Sequence, residues 1–172
     1  MRRRPSLLAI GIFAAVSLFL IQSALAVDIA PPDAGFSAWF PVEPEESSEP
    51  APGNRTVTWV ARDRSFIYLV GVSRYAKMPE SRAELEANLK NFLAGAKGRV
   101  LSRKVTTISR PGGRPLPALL FIFAGDPLSG SGIIVSDGDR SYMAMGAKLN
   151  DQNGDETEID RFIMSFKLTA KR

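Results

Sequence analysis

The hydrophobic pattern of the chain predicts seven strands. Two runs, Phe66–Val72 and Ala118–Phe123, are almost entirely apolar, which is typical of strands that are buried on both faces in the centre of a sheet. The other predicted strands alternate or are rich in β-branched residues, and they span residues 35–40, 56–61, 100–108, 133–135 and 142–145. Residues 42–54 are rich in Pro, Glu and Ser, and they predict a solvated loop.

Two further segments have apolar residues at helical spacing. The first runs from Ser81 to about Ala96, with one apolar stripe. The second opens at Asp155, with acids at its start and bases at its end, as the helix dipole prefers. Its apolar face consists of Ile159, Phe162, Ile163 and Phe166. We expect this face to pack against the sheet, because the helix has no other way to bury it.

The predicted order is β-β-β-α-β-β-β-β-α, which places the chain in the α/β (α+β) class. Short turns between successive strands favour a mainly antiparallel sheet of about seven strands. One such turn is Asp137-Gly138-Asp139-Arg140, a strong hairpin signal. Two helices that each have one apolar stripe, and two strands buried on both faces, predict helices on both sides of the sheet. This arrangement is a three-layer α/β/α sandwich.

The N-terminus has the three parts of a secretory signal peptide. Arg2, Arg3 and Arg4 precede an apolar run at residues 7–21, and Ala24-Leu25-Ala26 supplies a small-x-small cleavage signal. We therefore predict a signal peptide at 1–26, a flexible lead at 27–34 and a single domain at 35–172, in a periplasmic or secreted protein. After cleavage no stable membrane anchor is expected; the alternative is an uncleaved N-terminal anchor.

Composition excludes several kinds of chemistry. The chain has no cysteine and no histidine, which removes Ser-His-Asp triads, cysteine nucleophiles and zinc sites built on His or Cys. Three of the 22 Lys and Arg residues and none of the 18 acids lie in residues 1–26, so the remainder carries 19 cations and 18 anions. This near balance gives no reason to expect nucleic acid as a partner. No catalytic residue, metal ligand or cofactor is predicted.

The candidate partner contacts lie on two loops, where core packing constrains residue choice least. They are the bend at 111–115 and the hairpin at 137–140, with Arg110, Gly112, Gly113, Arg114, Asp137, Asp139 and Arg140 as the candidate residues. Four basic residues lie in or near the strand that ends at this bend: Arg103, Lys104, Arg110 and Arg114. For them a solvated face is favoured, and a partner patch is the alternative. For the two aspartates the alternatives are a cation site and a simple turn, and the turn is favoured. Joint replacement of Arg110 and Arg114 with alanine is expected to leave the melting temperature nearly unchanged but to weaken capture of the partner.

Several short motifs resemble the PsbP-like superfamily, which includes the extrinsic photosystem protein PsbP and the Ran-binding Mog-type proteins. The resemblance rests on Phe36-Ser37-Ala38-Trp39-Phe40-Pro41 near the start of the domain and on the helix at 82–96 with the strand after it. It also rests on the bend at 112–117, on Asp139-Arg140-Ser141-Tyr142 at the hairpin, and on the final segment at 159–166.

This resemblance implies an α/β/α sandwich that usually binds other proteins and is not usually an enzyme. The leading hypothesis is therefore an exported, non-catalytic protein-binding or assembly module whose partner is an unidentified envelope or secreted protein. One alternative is a carboxylate-dependent hydrolase of envelope glycans, which requires two carboxyl groups facing one cleft. Another is a small-molecule binding domain, which requires an apolar pocket.

Overall fold

The computed structural model describes residues 25–51, 54–76, 81–151 and 154–170. Almost all of the predicted signal peptide, residues 1–24, lies outside the described residues. Five strands precede the first helix: β1 (Val27–Ile29), β2 (Phe36–Phe40), β3 (Glu45–Ala51), β4 (Asn54–Asp63) and β5 (Phe66–Tyr75). The remaining elements are α1 (Ser81–Gly95), β6 (Arg99–Ser109), β7 (Pro115–Ala124), β8 (Leu128–Asp137), β9 (Arg140–Leu149), α2 (Thr157–Ser165) and β10 (Lys167–Leu168).

The main sheet has seven strands in the order β3-β4-β5-β9-β8-β7-β6, and every neighbouring pair is antiparallel. The predicted α+β class and mainly antiparallel sheet are thus confirmed. The membership of the sheet differs from the prediction, because β2 lies outside it and β3 forms one edge. The segment at 42–54, predicted as a loop, supplies β3. Since β3 is an edge strand and exposed, it needs no apolar alternation, and its composition resembles that of a loop.

Each face of the sheet carries its own core. On one face, α1 packs over β8 and β7 and buries Leu85 and Leu89 against side chains that include Leu119, Phe121 and Phe123. On the other face, α2 buries Ile159 and Phe162 beside Tyr68, Val70 and Val72 of β5. Strands β5 and β7 contribute side chains to both cores, as their continuous apolar runs predicted. The expectation that both lie in the centre of the sheet is wrong for β7, which is next to the edge strand β6 and has Ile122 49% exposed.

A second, three-stranded sheet in the order β1-β2-β10 lies on the α2 side. Residues 27–34 were predicted as a flexible lead, but β1 lies within them and pairs with β2 from Val27 opposite Phe40 to Ile29 opposite Ala38. The last helix is also shorter than predicted, because Phe166 has extended backbone geometry and the chain continues into β10. Phe166 nevertheless stays buried, stacked on Phe36.

A polar cluster joins α1 to the sheet. The amide of Asn88 donates to Glu84 Oε1 at 2.8 Å and to Ser141 Oγ of β9 at 2.6 Å. The Tyr75 hydroxyl at the end of β5 also donates to Glu84. Burial, followed by this hydrogen bond and the nearby carboxylate charge, raises the pKa of Tyr75 to about 12. The tyrosine therefore remains a neutral hydrogen-bond donor and helps to hold α1 against β5 and β9.

Candidate functional site

The bend after β6 and the hairpin between β8 and β9 lie at the same end of the sheet, where Arg110 joins them. Arg110 is only 9% exposed, and its Nη2 lies 2.5 Å from Asp137 Oδ2 in a buried ion pair. The same nitrogen is 3.4 Å from the Tyr142 hydroxyl, and Nη1 donates to the backbone carbonyl of Thr169. One guanidinium thus connects the bend, the hairpin, β9 and the segment after β10.

The protonated state of Arg110 is held by its surroundings. Desolvation opposes the charge, but the hydrogen bonds and Coulomb interactions with Tyr142 and Asp137 outweigh it and raise the pKa of Arg110. The expectation that Arg110 lies on a solvated face is therefore wrong. Its side chain is engaged inside the protein, and the exposed cation of the bend is Arg114.

The other predicted contact residues divide by exposure. In the bend, Gly112 and Gly113 are exposed like Arg114, and Gly112 has a φ of 69°, which suits a residue without Cβ. In the hairpin, Asp139 is exposed, whereas the half-buried Arg140 donates from Nη1 to the Asp33 carbonyl at 3.0 Å. The two loops share one end of the sheet, but only part of the predicted set reaches the surface.

The pockets do not resemble a catalytic centre. One of about 430 Å³ lies beside Arg140 and contains a single carboxylate, Asp33. Another of about 450 Å³ is lined by Glu43, Glu46 and Trp59, and both of these carboxylates are exposed. Within the described ranges, no group of three or more acidic residues is close enough to hold a metal ion. No helix in this part of the chain is long and apolar enough to cross a membrane.

The most unusual surface follows directly from the sheet order. The sequence indicated its basic residues Arg103 and Lys104 only as the alternative to a solvated face, and it did not indicate the exposed apolar side chains. Strand β6 is one of the two edge strands of the main sheet, and its side chains are exposed from Arg99 to Val105. Six large hydrophobic side chains are exposed among the described residues, and four of them lie on β6 or its neighbour β7: Val100, Leu101, Val105 and Ile122. We call β6 together with the bend at 110–115 the β6 margin.

The β6 margin is basic as well as apolar. Its strand contains Arg99, Arg103 and Lys104 and no acidic residue. Arg103 Nη1 lies 2.8 Å from Glu86 Oε2 of α1, and both side chains are about half exposed. A signal for this surface existed in the sequence, because polar and apolar residues occur on both alternating faces of the predicted strand at 100–108, as suits an edge strand.

A groove of about 440 Å³ separates α1 from β6. Its apolar lining includes Leu89, Leu93 and Val100, and its cations are Lys90, Lys97 and Arg103. Glu86 is the acidic residue in this lining, and it pairs with Arg103. The groove is therefore an open, positively charged depression beside the free edge of the sheet.

These features define a three-layer α/β/α sandwich with one open, basic edge. No protein-family model and no curated protein matches the chain. Among solved structures, it is similar to the solution structure of cyanobacterial PsbP (CyanoP) from Synechocystis sp. PCC 6803, with 10% identity, a TM-score of 0.57 and coverage of 84% of this chain and 93% of that chain. It also aligns with a crystal structure from Bacteroides thetaiotaomicron, with 12% identity, a TM-score of 0.39 and coverage of 84% and 48%. The chain has a PsbP-like fold, as its motifs implied.

Proposed function

We propose that this chain is an exported, non-catalytic protein-binding or assembly module of the cell envelope. The observation that carries the proposal is the concentration of exposed apolar side chains on the β6 margin. These side chains lie on both faces of one sheet edge, and exposed apolar groups grouped in this way are typical of a protein-interaction site. The exposed Arg114 and the two glycines of the bend extend this surface beyond the end of the strand.

The two alternatives have weaker support. A retaining or inverting glycosidase needs two carboxyl groups at a defined separation in one cleft, with one of them desolvated. Glu43 and Glu46 share a pocket, but both are exposed, and Glu46 accepts a hydrogen bond from Trp59 Nε1 at 3.0 Å. A small-molecule binding domain needs an enclosed apolar pocket. The groove beside β6 is open and rich in lysine and arginine instead.

Export is tested by the N-terminus of the mature protein. We expect cleavage after Ala26, so that the periplasmic or secreted form begins at Val27, the first residue of β1. N-terminal sequencing of that fraction measures the start. An Ala26→Leu variant is expected to block cleavage, because the position before the cut requires a small residue. An Ala30→Leu variant is the control and should be processed normally. Intact chain beginning at Met1 in the membrane fraction would instead support an uncleaved anchor.

Protein binding is tested by photo-crosslinking in cells. A photoreactive amino acid at position 105 or 114 is expected to form covalent adducts with another protein, because both positions lie on the β6 margin. Met164 is the matched control, since it is also an exposed apolar residue, at 75%, but lies on α2. Adducts are detected as mass-shifted bands and identified by mass spectrometry. Absence of adducts from both margin positions, or equal adducts from position 164, would count against the proposal.

A further inference from the structure

We propose that the β6 margin binds an extended, acidic segment of an envelope protein by antiparallel strand addition, so that the segment becomes an eighth strand of the main sheet. This inference rests on the proposed function and specifies the chemistry of the partner. Strand addition uses backbone hydrogen bonds for affinity and side-chain positions for specificity.

The first argument is the backbone of the edge. Strand β6 pairs with β7 on one side, and among the described residues no strand pairs with its other side. The pairing is irregular between Val100 and Ser102 and regular from Ser102 to Ser109. These eight residues contain no proline and include the β-branched Val105, Thr106, Thr107 and Ile108. They form a regular template for another strand.

The opposite edge of the sheet differs in composition. Strand β3 has seven residues, and they include Pro50, which cannot donate a hydrogen bond to a neighbouring strand. It also carries Glu45, Glu46 and Glu49. Proline on an edge strand is a usual protection against unwanted pairing. The β6 edge has no proline over residues 102–109, which makes it the better acceptor of the two.

The second argument is the charge of the edge, which selects the occupant. Two copies of β6 would bring Arg99, Arg103 and Lys104 close to the same cations, and like charges across a strand pair are destabilising. An acidic strand would meet the opposite sign. Lys104 has no ion-pair partner among the described residues, so it is available to a carboxylate of the added strand.

The third argument is the position of the side chains on the two faces of the edge. Arg103 and Val105 lie opposite Phe121 and Leu119, which belong to the α1 face, so they project to the same side as the groove. Lys104 lies opposite Leu120 and therefore projects to the other side. An added strand would place one side chain beside Val105 and the groove, and acids on adjacent residues beside Lys104 and Arg103.

The fourth argument is the groove itself. Side chains of the added strand on the α1 side would lie on the same side of the sheet as this groove, whose lining includes Arg103 and the further cations Lys90 and Lys97. A guest strand between a helix and a sheet edge is the arrangement by which PDZ and PTB domains bind peptides. The added strand runs antiparallel to residues 102–109. Its expected sequence has an apolar residue opposite Val105, followed by acidic residues opposite Lys104 and Arg103.

The test uses a fluorescent peptide, Thr-Val-Thr-Thr-Val-Glu-Glu-Thr, and the chain without its signal peptide. Two control peptides have the same length. One replaces both acids with lysine, and the other keeps the acids but carries N-methyl groups on alternate backbone nitrogens. Fluorescence anisotropy is expected to show binding of the acidic peptide alone. Amide hydrogen exchange is expected to slow at Ser102–Ser109 when this peptide is added.

A charge variant locates the contact. Lys104→Glu is expected to weaken peptide binding by roughly threefold to tenfold, since it exchanges an exposed attractive pair for a repulsive one. Arg62→Glu, at an exposed position of β4, is the matched control and should bind as the unmodified chain does. Circular dichroism confirms that both variants are folded.

Three results would overturn strand addition. They are equal binding of the N-methylated peptide, equal binding of the lysine peptide, and slowed exchange at elements other than β6. Doubling of the molecular mass without peptide, with Ser102–Ser109 protected, would show that a second copy occupies the edge. If any of these results accompanies crosslinks at position 114, the protein-binding function stands and only its proposed mode fails.

Discussion

Replacing Arg110 with alanine is expected to destabilise the protein by about 3–5 kcal/mol, the usual cost of removing one partner of a buried ion pair. The variant leaves the Asp137 side chain, which is 10% exposed, without the guanidinium that neutralises it. It also removes the hydrogen bond to the Thr169 carbonyl, which ties the segment after β10 to the bend. The free energy of unfolding from urea denaturation measures the effect.

The matched control is Arg114→Ala, four residues further along the same bend. Arg114 is exposed, so its replacement is expected to change the free energy of unfolding by no more than about 0.5 kcal/mol. A double variant, Arg110→Met with Asp137→Leu, removes both charges and is expected to recover much of the loss, because apolar replacements of buried ion pairs are often tolerated. If Arg110→Ala and Arg114→Ala cost the same, the Arg110–Asp137 pair has no structural role.

The buried position of Arg110 changes the expectation for the joint replacement of Arg110 and Arg114. The double alanine variant is expected to lower the melting temperature, since it breaks the buried pair. Loss of partner capture by that variant would therefore be ambiguous between unfolding and a lost contact. Arg114→Ala alone separates the two effects, because its exposed side chain contributes little to folding.

Replacing Phe162 with alanine is expected to cost about 3–5 kcal/mol, the usual range for truncation of a buried aromatic residue. The ring is fully buried between the small sheet and the main sheet. Its centroid lies 5.0 Å from that of Phe40 on β2 and 5.3 Å from that of Tyr68 on β5, both in edge-to-face arrangements. The truncation leaves a cavity where three elements meet.

Met164→Ala on the same helix is the control for Phe162→Ala. Met164 is 75% exposed, so its loss should change stability little, while the helix propensity of the site stays favourable. The midpoint of urea unfolding should fall for Phe162→Ala without a change in the denaturant slope. An unchanged midpoint would mean that α2 is not docked on the sheet in solution.

Elements whose signals are local could be predicted from the sequence. The continuous apolar runs of β5 and β7 are sufficient to predict strands that pack on both faces, because each run supplies apolar side chains to both sides of the sheet. They do not determine the position in the sheet, since β7 lies beside the edge strand β6. The spacing of Ile159, Phe162 and Ile163 likewise identifies the buried face of α2, since helical geometry places them on one side. Asp137 to Arg140 predicts its hairpin from turn chemistry alone, and Gly138 has the expected positive φ, 63°.

The partners of each strand, in contrast, depend on contacts between distant residues. The alternation of Phe36 to Phe40 predicts a strand, but its neighbours Val27–Ile29 and Lys167–Leu168 come from opposite ends of the domain and form a separate sheet. Strand β3 lacks an apolar face because it is an exposed edge, so its composition alone does not separate it from a loop. Local patterns predict that a segment is extended, whereas strand order is decided by tertiary packing.

The same distinction applies to the candidate site. The sequence by itself determined which chemistry is absent, since a chain without histidine or cysteine cannot form a His-based triad. It did not determine that Arg110 is buried, because its partner Asp137 is 27 residues away and the pair forms only when the bend and the hairpin meet. Nor did it determine that β6 is an open edge. Whether a basic strand is covered or free is decided by the order of the whole sheet, and that order exists only in the folded protein.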